Sequence, residues 1–251
     1  MVRTHPPELA FWLESPSIPA CEIAALLGYR IAVLDMEHGV IGAEACDTIV
    51  AHCRAAGLTV YVRVAAAERM LIQQALDYGA DGVMLPQITC AVHAAEVCAY
   101  AKYPPLGLRG VGYSRTMKYG VDSRIDDAFF AAENARVACH PMIETPGALE
   151  DVQAILALHT VDGVFIGPSD LSMMRGRGAF KFTAEDQADF LVIAAAARRA
   201  GKVLGLPAPG PAAYALAVAE GAGYVTVSDD LTALRLGFAQ GLEVAKQATG
   251  R

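Results

Sequence analysis

Short apolar runs alternate with longer Ala- and Leu-rich segments along almost the whole chain. Runs bounded by glycine, proline or polar residues predict strands at residues 9–13, 30–35, 59–64, 82–86, 137–143, 162–167, 203–206 and 223–228. The segments between them predict helices at residues 20–28, 43–56, 68–79, 90–102, 147–159, 184–200, 211–220 and 231–247. The strand runs are continuously apolar, which is typical of parallel strands covered on both faces.

Repeated strand–helix units in a chain of 251 residues match an α/β fold, the (β/α)8 TIM barrel, in number and size. We therefore predict a single TIM-barrel domain over residues 1–251. Several predicted helices end at a glycine, which suits the positive φ of a helix C-terminus; these are Gly28, Gly57, Gly79, Gly201 and Gly221. An open doubly wound sheet is the alternative, but no G-x-G-x-x-G motif follows the early strands.

Two features interrupt the regular alternation. The segment GADGVMLP at 79–86 resembles VDGVFIGP at 161–168, and we expect Asp81 and Asp162 to make turns before their strands. Residues 103–127 are rich in glycine and have no clear period. A loop of this length in a compact barrel predicts a lid or a contact between subunits.

Composition narrows the classes of partner. Hydrophobic residues make up 54% of the chain, and the net charge is −7 without a block of Lys and Arg. A nucleic-acid-binding surface needs a basic face, so that class is disfavoured. No stretch approaches the roughly 18 apolar residues of a membrane span. The six cysteines contain no C-x-x-C pair, which favours reduced thiols in a cytoplasmic protein.

Polar side chains cluster where the predicted strands end. In a barrel these C-terminal ends meet at one mouth, which is where catalytic residues gather. The residues at these positions are Asp35, Glu37, His38, Arg63, Gln87, Glu144, Asp170, Ser228 and Asp229. None of the five lysines lies at a predicted strand end, which disfavours a Schiff-base mechanism. The carboxylates of Asp229 and Asp230 would repel a phosphate group at the site that barrels commonly use for one.

Glu144 and Asp170 follow two neighbouring predicted strands. A carboxylate at the end of an apolar strand is costly unless it is paired or bound to a metal ion. Two such groups suit Mg²⁺ or Mn²⁺, with Co²⁺ as a substitute. The alternative is that each carboxylate pairs with an arginine such as Arg63 or Arg109, and spacing alone leaves both open.

His38 lies three residues beyond Asp35 at the end of the second strand. This spacing would let the Asp35 carboxylate orient the imidazole ring and raise its basicity. The alternative is an ordinary hydrogen-bonded histidine without a chemical role.

Six segments containing these residues resemble one known family. They are LDMEHG (34–39), VRV (62–64), GADGVMLPQI (79–88), KYPPLGLRGVG (102–112), MIETPGALED (142–151) and DGVFIGPSDLS (162–172). In this combination and order they resemble the HpcH/HpaI aldolases, which are class II, metal-dependent pyruvate aldolases on a (β/α)8 barrel. The resemblance implies reversible cleavage of a 4-hydroxy-2-oxo acid into pyruvate and an aldehyde.

The resemblance also implies roles for individual residues. Glu144 and Asp170 would be the ligands of the divalent metal ion (Mg²⁺, Mn²⁺ or Co²⁺). Arg63 would hold the carbonyl oxygen of the 2-oxo acid and stabilise enolate charge. His38, oriented by Asp35, would be the acid/base for the hydroxyl of the second substrate.

Other implied roles concern the substrate carboxylate and the assembly. The backbone N–H groups of Ser169 and Asp170 would grip the pyruvate carboxylate. Asp77 would reach the active site of an adjacent subunit. The family commonly forms hexamers, as trimers of dimers, with the last helix, here 231–247, exchanged between neighbours.

Departures from the family pattern affect the second substrate. Met142 stands where many relatives carry glutamine, and Arg175 and Arg177 are additional basic residues beyond the sixth strand. The two arginines motivate an alternative reaction, in which oxaloacetate is decarboxylated or condensed with an acyl-CoA as in a citrate synthase. An alternative of another class is a barrel that binds an oxo acid without catalysis.

Overall fold

The strands form one closed parallel barrel in the order β1-β2-β3-β4-β5-β6-β7-β8. This arrangement comes from a computed structural model, which describes residues 6–121 and 125–249. The strands are β1 (Glu8–Leu13), β2 (Ile31–Asp35), β3 (Thr59–Arg63), β4 (Gly82–Leu85), β5 (Ala138–Ile143), β6 (Gly163–Ile166), β7 (Val203–Pro207) and β8 (Tyr224–Asp229). Each lies within a residue or two of a predicted strand, so the predicted fold is confirmed.

Helices follow the strands around the outside of the barrel. They are α1 (Ile18–Leu26), α2 (Ala43–Ala55), α3 (Arg69–Asp77), α4 (Ala91–Cys98), α5 (Asp127–Arg136), α6 (Pro146–Glu150), α7 (Val152–Ala157), α8 (Pro168–Met174), α9 (Ala184–Ala200), α10 (Pro211–Ala219) and α11 (Asp230–Thr249). The long connection between β4 and β5 contains a 3₁₀ helix at Ala99–Ala101 and a kinked 3₁₀ segment at Arg115–Gly120, in which Lys118 and Tyr119 have positive φ. The five glycines expected at helix ends all have positive φ.

Three helices differ from the sequence prediction. The predicted helix 147–159 is divided into α6 and α7 at Asp151, whose carboxylate accepts the backbone N–H of Ala91 at 2.8 Å. Helix α5 was not predicted, because it buries no residue and therefore has no apolar period. Helix α8 was also missed, because its seven residues are too few to establish a period.

The barrel interior is filled by side chains from alternate strand positions. The interior cluster comprises Ala10, Ile31, Val33, Met84, Met142, Phe165 and Tyr224. At Gly205, a side chain would collide with the ring of Tyr224, so glycine is required for this aromatic residue to fit inside the barrel. The barrel is therefore a packed core and not a channel.

Asp81 and Asp162 lie before their strands in the two repeated segments as expected, but the hydrogen bonds of their carboxylates join neighbouring strands instead of closing turns. The Asp81 carboxylate accepts the backbone N–H of Val60 at 2.9 Å, and the Asp162 carboxylate accepts that of Cys139 at 2.8 Å. Each aspartate thus joins the start of its own strand to the preceding strand, at the N-terminal end of the barrel.

Helix α11 stands apart from the rest of the fold. From residue 231 to 248 every side chain is exposed or nearly so, including Leu234, Phe238 and Leu242.

Five of the six cysteines are buried, and Cys90 is partly exposed. Within residues 6–121 and 125–249, no helix combines the length and apolar character that crossing a membrane requires.

Candidate active site

A cavity of about 680 Å³ opens at the C-terminal ends of the strands. Its lining includes Trp12, Glu14, His38, Arg63, Met142, Glu144, Phe165, Ser169, Asp170, Thr226, Ser228, Asp229 and Thr232. Five of the predicted site residues therefore share this cavity: His38, Arg63, Glu144, Ser169 and Asp170. Asp35 lies directly beneath it, in contact with Arg63.

The Arg63 guanidinium is buried and held on three sides. Its Nε donates to Asp35 Oδ1 at 2.9 Å and its Nη2 to Asp35 Oδ2, while its Nη1 lies 2.9 Å from Glu37 Oε2. The guanidinium also stacks over the ring of Trp12, 4.9 Å from the ring centroid. Since a guanidinium has five N–H donors, two remain for a ligand in the cavity.

Asp35 holds the backbone of His38 and not its ring, so the expected contact between carboxylate and imidazole is wrong. Asp35 Oδ1 accepts the backbone N–H groups of Glu37 at 3.0 Å and His38 at 3.1 Å. The Trp12 indole donates to Oδ2 at 3.0 Å. Burial opposes ionisation, but the hydrogen bonds and charge of Arg63 hold the pKa of Asp35 below its usual value. The Asp35 carboxylate thus fixes the turn after β2 and also holds Arg63 and Trp12.

This turn leaves the His38 side chain 63% exposed at the cavity, with Nε2 3.9 Å from Glu37 Oε2. Gly39 closes the turn, and a side chain there would collide with the backbone carbonyl groups of Asp35 and Glu14. Position 39 therefore requires glycine. The backbone conformation of this turn places the His38 imidazole at the cavity.

Glu144 is a buried carboxylate at the end of β5. Its Oε1 accepts the backbone N–H of Gln87 at 2.6 Å, and its Oε2 lies against Gly167, where any side chain would overlap it. Burial raises the pKa of Glu144 to about 7. The Gln87 N–H lowers this pKa, and the nearby Glu37 and Asp170 carboxylates raise it further. The negative charge of the carboxylates on this side of the cavity is therefore not fully balanced by neighbouring positive charge.

Asp170 lies in the first turn of α8, immediately after β6. The Gln87 side-chain amide donates to its Oδ2 at 3.4 Å, so one glutamine contacts both Glu144 and Asp170. Strands β5 and β6 are paired at Ile143 and Ile166, which confirms that the two acidic residues follow neighbouring strands.

The start of α8 also presents backbone donors to the cavity. Its first intrahelical hydrogen bond runs from Leu171 to Gly167, and Pro168 has no N–H. The N–H groups of Ser169 and Asp170 therefore precede the hydrogen-bonded turns, as is usual at a helix N-terminus. Donors of this kind suit an anionic group of a ligand.

The donor set at this site fits a magnesium-like ion. Neither arginine considered as a partner is paired with Glu144 or Asp170, because Arg63 pairs with Asp35 and Glu37, and Arg109 pairs with Asp77. Mg²⁺ commonly uses one or two protein carboxylates and completes its coordination with water and substrate oxygens. Over residues 6–121 and 125–249, no three His, Cys, Asp or Glu side chains surround one point as a metal site. The pair therefore suits Mg²⁺ better than a zinc site with three protein ligands.

Asp77 lies away from the cavity of its own chain. Its carboxylate accepts from Arg109 Nη2 at 2.9 Å and from Ser114 Oγ at 3.3 Å. Both partners belong to the long connection between β4 and β5, so Asp77 anchors that connection to the end of α3.

Arg175 and Arg177 do not line the cavity, so their expected role in binding a dicarboxylate is wrong. Arg177 Nη1 lies 3.1 Å from Asp186 Oδ1 and 2.9 Å from Asp189 Oδ2, and Arg175 Nε lies 3.4 Å from the same Asp189 oxygen. These acidic residues are on α9. The two arginines therefore attach the loop after α8 to that helix.

Two contributors to the site, Gln87 and Glu37, were expected after strands at the barrel mouth but were given no role. Gln87 has φ of 55°, a strained value for a residue other than glycine, and this conformation presents its N–H to Glu144. Glu37 shares Arg63 with Asp35. Their positions after strands placed both residues at the barrel mouth. Their contacts could not be predicted, because the partners Glu144 and Arg63 lie far away in the sequence.

The chain belongs to the HpcH/HpaI aldolase/citrate lyase family, whose family model matches residues 8–234. It is 33% identical to a 2-keto-3-deoxy-L-rhamnonate aldolase of Salmonella gallinarum over 231 residues, 91% of this chain and 85% of that protein. It is 35% identical to a 4-hydroxy-2-oxovalerate aldolase of Novosphingobium aromaticivorans over 188 residues, 73% of this chain and 69% of that protein. The expected family is therefore confirmed, and with it an enzyme class of aldolase type.

Solved structures agree with this assignment. An HpcH/HpaI aldolase of Desulfitobacterium hafniense superposes with a TM-score of 0.87 and 30% identity, covering 96% of this chain and 93% of that one. A citrate synthase, SbnG, also has a TM-score of 0.87, over 98% of this chain and 96% of that one, but at 22% identity. At this identity the similarity to SbnG shows only that the two proteins share a fold.

Proposed function

We propose that this protein is a class II pyruvate aldolase that reversibly cleaves a 4-hydroxy-2-oxo acid into pyruvate and an aldehyde. The observation that carries the proposal is the placement of Glu144 and Asp170 at neighbouring strand ends, on one cavity with the Arg63 guanidinium. Family membership and aldolase relatives over most of the chain support the same reaction.

Glu144 and Asp170 would hold the divalent cation, which we propose to be Mg²⁺, Mn²⁺ or Co²⁺. When bound, the cation would supply Lewis-acid stabilisation of negative charge on the 2-oxo acid. The N–H groups of Ser169 and Asp170 would bind the substrate carboxylate. The two remaining N–H donors of Arg63 would bind the carbonyl oxygen, where negative charge develops as the enolate forms.

His38 would move the proton of the 4-hydroxyl group. In cleavage the imidazole accepts this proton, the bond between C3 and C4 breaks to release the aldehyde, and its electron pair forms the pyruvate enolate. Protonation of the enolate at C3 then gives pyruvate. The exposed ring at the cavity suits this role, because it is free to approach a bound hydroxyl group.

We also propose that the active site is completed by a neighbouring subunit in a hexamer, a trimer of dimers in which α11 is exchanged. The exposed apolar side chains along α11, among them Leu234 and Phe238, support such an exchange. Asp77 does not line the cavity of its own chain, which supports a role at an adjacent one.

Exchange of the pyruvate methyl protons for deuterium tests the reaction without any aldehyde. We expect exchange that is abolished by EDTA and restored by Mg²⁺, Mn²⁺ or Co²⁺. Glu144→Ala should abolish it, whereas Glu150→Ala, at an exposed position of α6, should not.

Three results would count against the proposal. Wild-type protein without metal-dependent exchange would refute it, as would exchange at an unchanged rate in Glu144→Ala. Binding of pyruvate in a calorimeter without any exchange would instead indicate a barrel that binds oxo acids without catalysis.

A further inference from the structure

The cavity has two chemically different walls. One carries Glu144 on β5 and the start of α8 after β6. The other is formed by Glu14 after β1 and by the end of β8, from Thr226 to Asp229. In a closed barrel of eight strands, three strands lie between β1 and β5 in either direction, so Glu14 after β1 lies across the cavity from Glu144 after β5. A pyruvate unit bound at the first wall would leave the second wall for its aldehyde partner.

The second wall is acidic. Glu14 and Asp229 line the cavity, and among the described residues neither carboxylate takes part in an ion pair. Burial and the charges of Asp229, Asp35 and Asp230 raise the pKa of Glu14, while Arg63 lowers it. Asp230 lies behind this wall, where it accepts the backbone N–H groups of Glu14 at 2.8 Å and Ser15 at 3.1 Å. Negative charge therefore accumulates here.

Among the described residues of this chain, no basic side chain belongs to the second wall, where it could bind an aldehyde that carries a carboxylate. Among the described residues that line the cavity, the basic ones are Arg63 and His38. Arg63 is paired with Asp35 and Glu37 beside the first wall. Arg175 and Arg177, which could have served such an aldehyde, are paired with α9 outside the cavity. A second carboxylate near Glu14 and Asp229 would meet uncompensated like charge.

The same wall is rich in groups that bind hydroxyls. Thr226, Ser228 and Thr232 add side-chain hydroxyl groups to the lining. One Asp229 oxygen caps α11 by accepting the N–H of Thr232 at 2.6 Å, which leaves the other oxygen available as an acceptor. Carboxylates accept hydrogen bonds strongly from hydroxyl donors.

We propose that Glu14 and Asp229 make the enzyme select uncharged, hydroxylated aldehydes and reject aldehydes that carry a carboxylate. This inference rests on the proposed aldolase function and adds the class of the second substrate. Specificity here comes from repulsion of the anionic competitor as well as from hydrogen bonds to the preferred aldehyde.

The test compares aldehydes as partners of pyruvate in the metal-loaded enzyme. Lactaldehyde represents the hydroxylated class, propanal the class without a hydroxyl, and succinic semialdehyde the anionic class. We expect kcat/KM for lactaldehyde to exceed that for propanal, and to exceed that for succinic semialdehyde by at least about tenfold. Equal or better use of succinic semialdehyde by the wild-type enzyme would overturn the inference.

Charge-removing variants identify the residues responsible. Glu14→Gln and Asp229→Asn keep the size of each side chain, and asparagine can still cap α11. Each should reduce the preference for lactaldehyde over succinic semialdehyde about fivefold or more, and Glu96→Gln, at an exposed position of α4, should leave it unchanged.

Deuterium exchange of pyruvate, measured on the same preparations, separates this inference from the aldolase proposal. Exchange with an unchanged preference in both charge-removing variants would overturn the role of the acidic wall and leave the aldolase intact. Absence of exchange in the wild-type enzyme would overturn both.

Discussion

The two ends of the barrel treat buried charge differently. At the N-terminal end, the Asp162 carboxylate lies 2.8 Å from Lys102 Nζ and also accepts a backbone N–H. Asp81 is likewise paired, with Arg136 Nη1 at 2.9 Å. At the C-terminal end, Glu144 has one backbone N–H and further carboxylates as neighbours.

This difference distinguishes charged residues that stabilise the fold, at the N-terminal end, from charged residues that suit catalysis, at the C-terminal end. Charges at the N-terminal end are matched and hold strands together, so they contribute to folding without an external partner. At the C-terminal end Arg63 is paired, but the charges of Glu144 and Asp170 are not balanced by a basic side chain, which is unfavourable in the free protein and would become favourable on binding of a cation and a substrate. Barrel enzymes generally divide the work of their two faces in this way.

The largest effect is expected from Arg63→Lys, at the C-terminal end. Lysine keeps the positive charge but cannot contact both oxygens of Asp35 and also Glu37 while donating to a ligand. We expect kcat for pyruvate exchange to fall by about 1000-fold, the upper range for loss of a donor to developing negative charge.

Arg198→Lys is the matched control for this variant, because Arg198 is in an exposed pair with Glu220 at 2.8 Å. Its kcat should equal that of the wild type. A fall of less than about threefold in Arg63→Lys would remove this arginine from the proposed mechanism.

At the N-terminal end, Asp162→Asn should affect folding and spare catalysis. It leaves the buried Lys102 ammonium opposite a neutral side chain. The free energy of unfolding in urea should fall by about 3 kcal/mol, the lower end for a broken buried pair, because the Asp162 side chain is 38% exposed.

The exchange rate of folded Asp162→Asn should match the wild type. Asp47→Asn breaks the exposed pair with Arg115 and should cost less than about 1 kcal/mol. Equal stabilities of the two variants would show that the N-terminal pair is no more important than a surface one.

A smaller effect is expected from pH on the metal-free protein. The pKa of Glu144 is about 7 in the folded state and 4.5 as the ordinary value, so the folded state binds the proton more tightly. This contribution to stability is therefore fully present below pH 4.5 and is lost as pH rises through about 7. It amounts to a few kcal/mol at most.

Unfolding in EDTA from pH 5 to 8 would measure this contribution, with Glu144→Gln as the control that cannot titrate. The unfolding free energy of the wild type should fall relative to that of the variant as pH rises. A difference independent of pH would show that Glu144 is ionised throughout. Added Mg²⁺ should restore stability most strongly above pH 7, where the carboxylate is charged.

The strand and helix pattern could be predicted because it is local. Continuous apolar runs and glycines such as Gly57 and Gly201 mark the strands and the helix ends within a few residues. Failures occurred where local pattern is weak. Helix α5 buries nothing, and the break between α6 and α7 depends on a contact from Asp151 to another helix.

The candidate site was predictable as a set of positions but not as a set of contacts. Residues after strands meet at one mouth by topology, so Glu144 and Asp170 could be grouped from the sequence. The partner of each side chain depends on distances across the fold. Asp35 therefore proved to hold the backbone of His38, and Arg177 proved to pair with α9.

The sequence by itself determined the barrel, the family and the strand ends that carry the polar residues, because apolar periodicity and short motifs are properties of neighbouring positions. Only the tertiary structure decided which charges are paired and which are left open. Pairing depends on burial and on separations of a few ångströms between groups far apart in the chain. For this reason the sequence alone does not distinguish the paired aspartates at the N-terminal end of the barrel from the unpaired carboxylates at the C-terminal end.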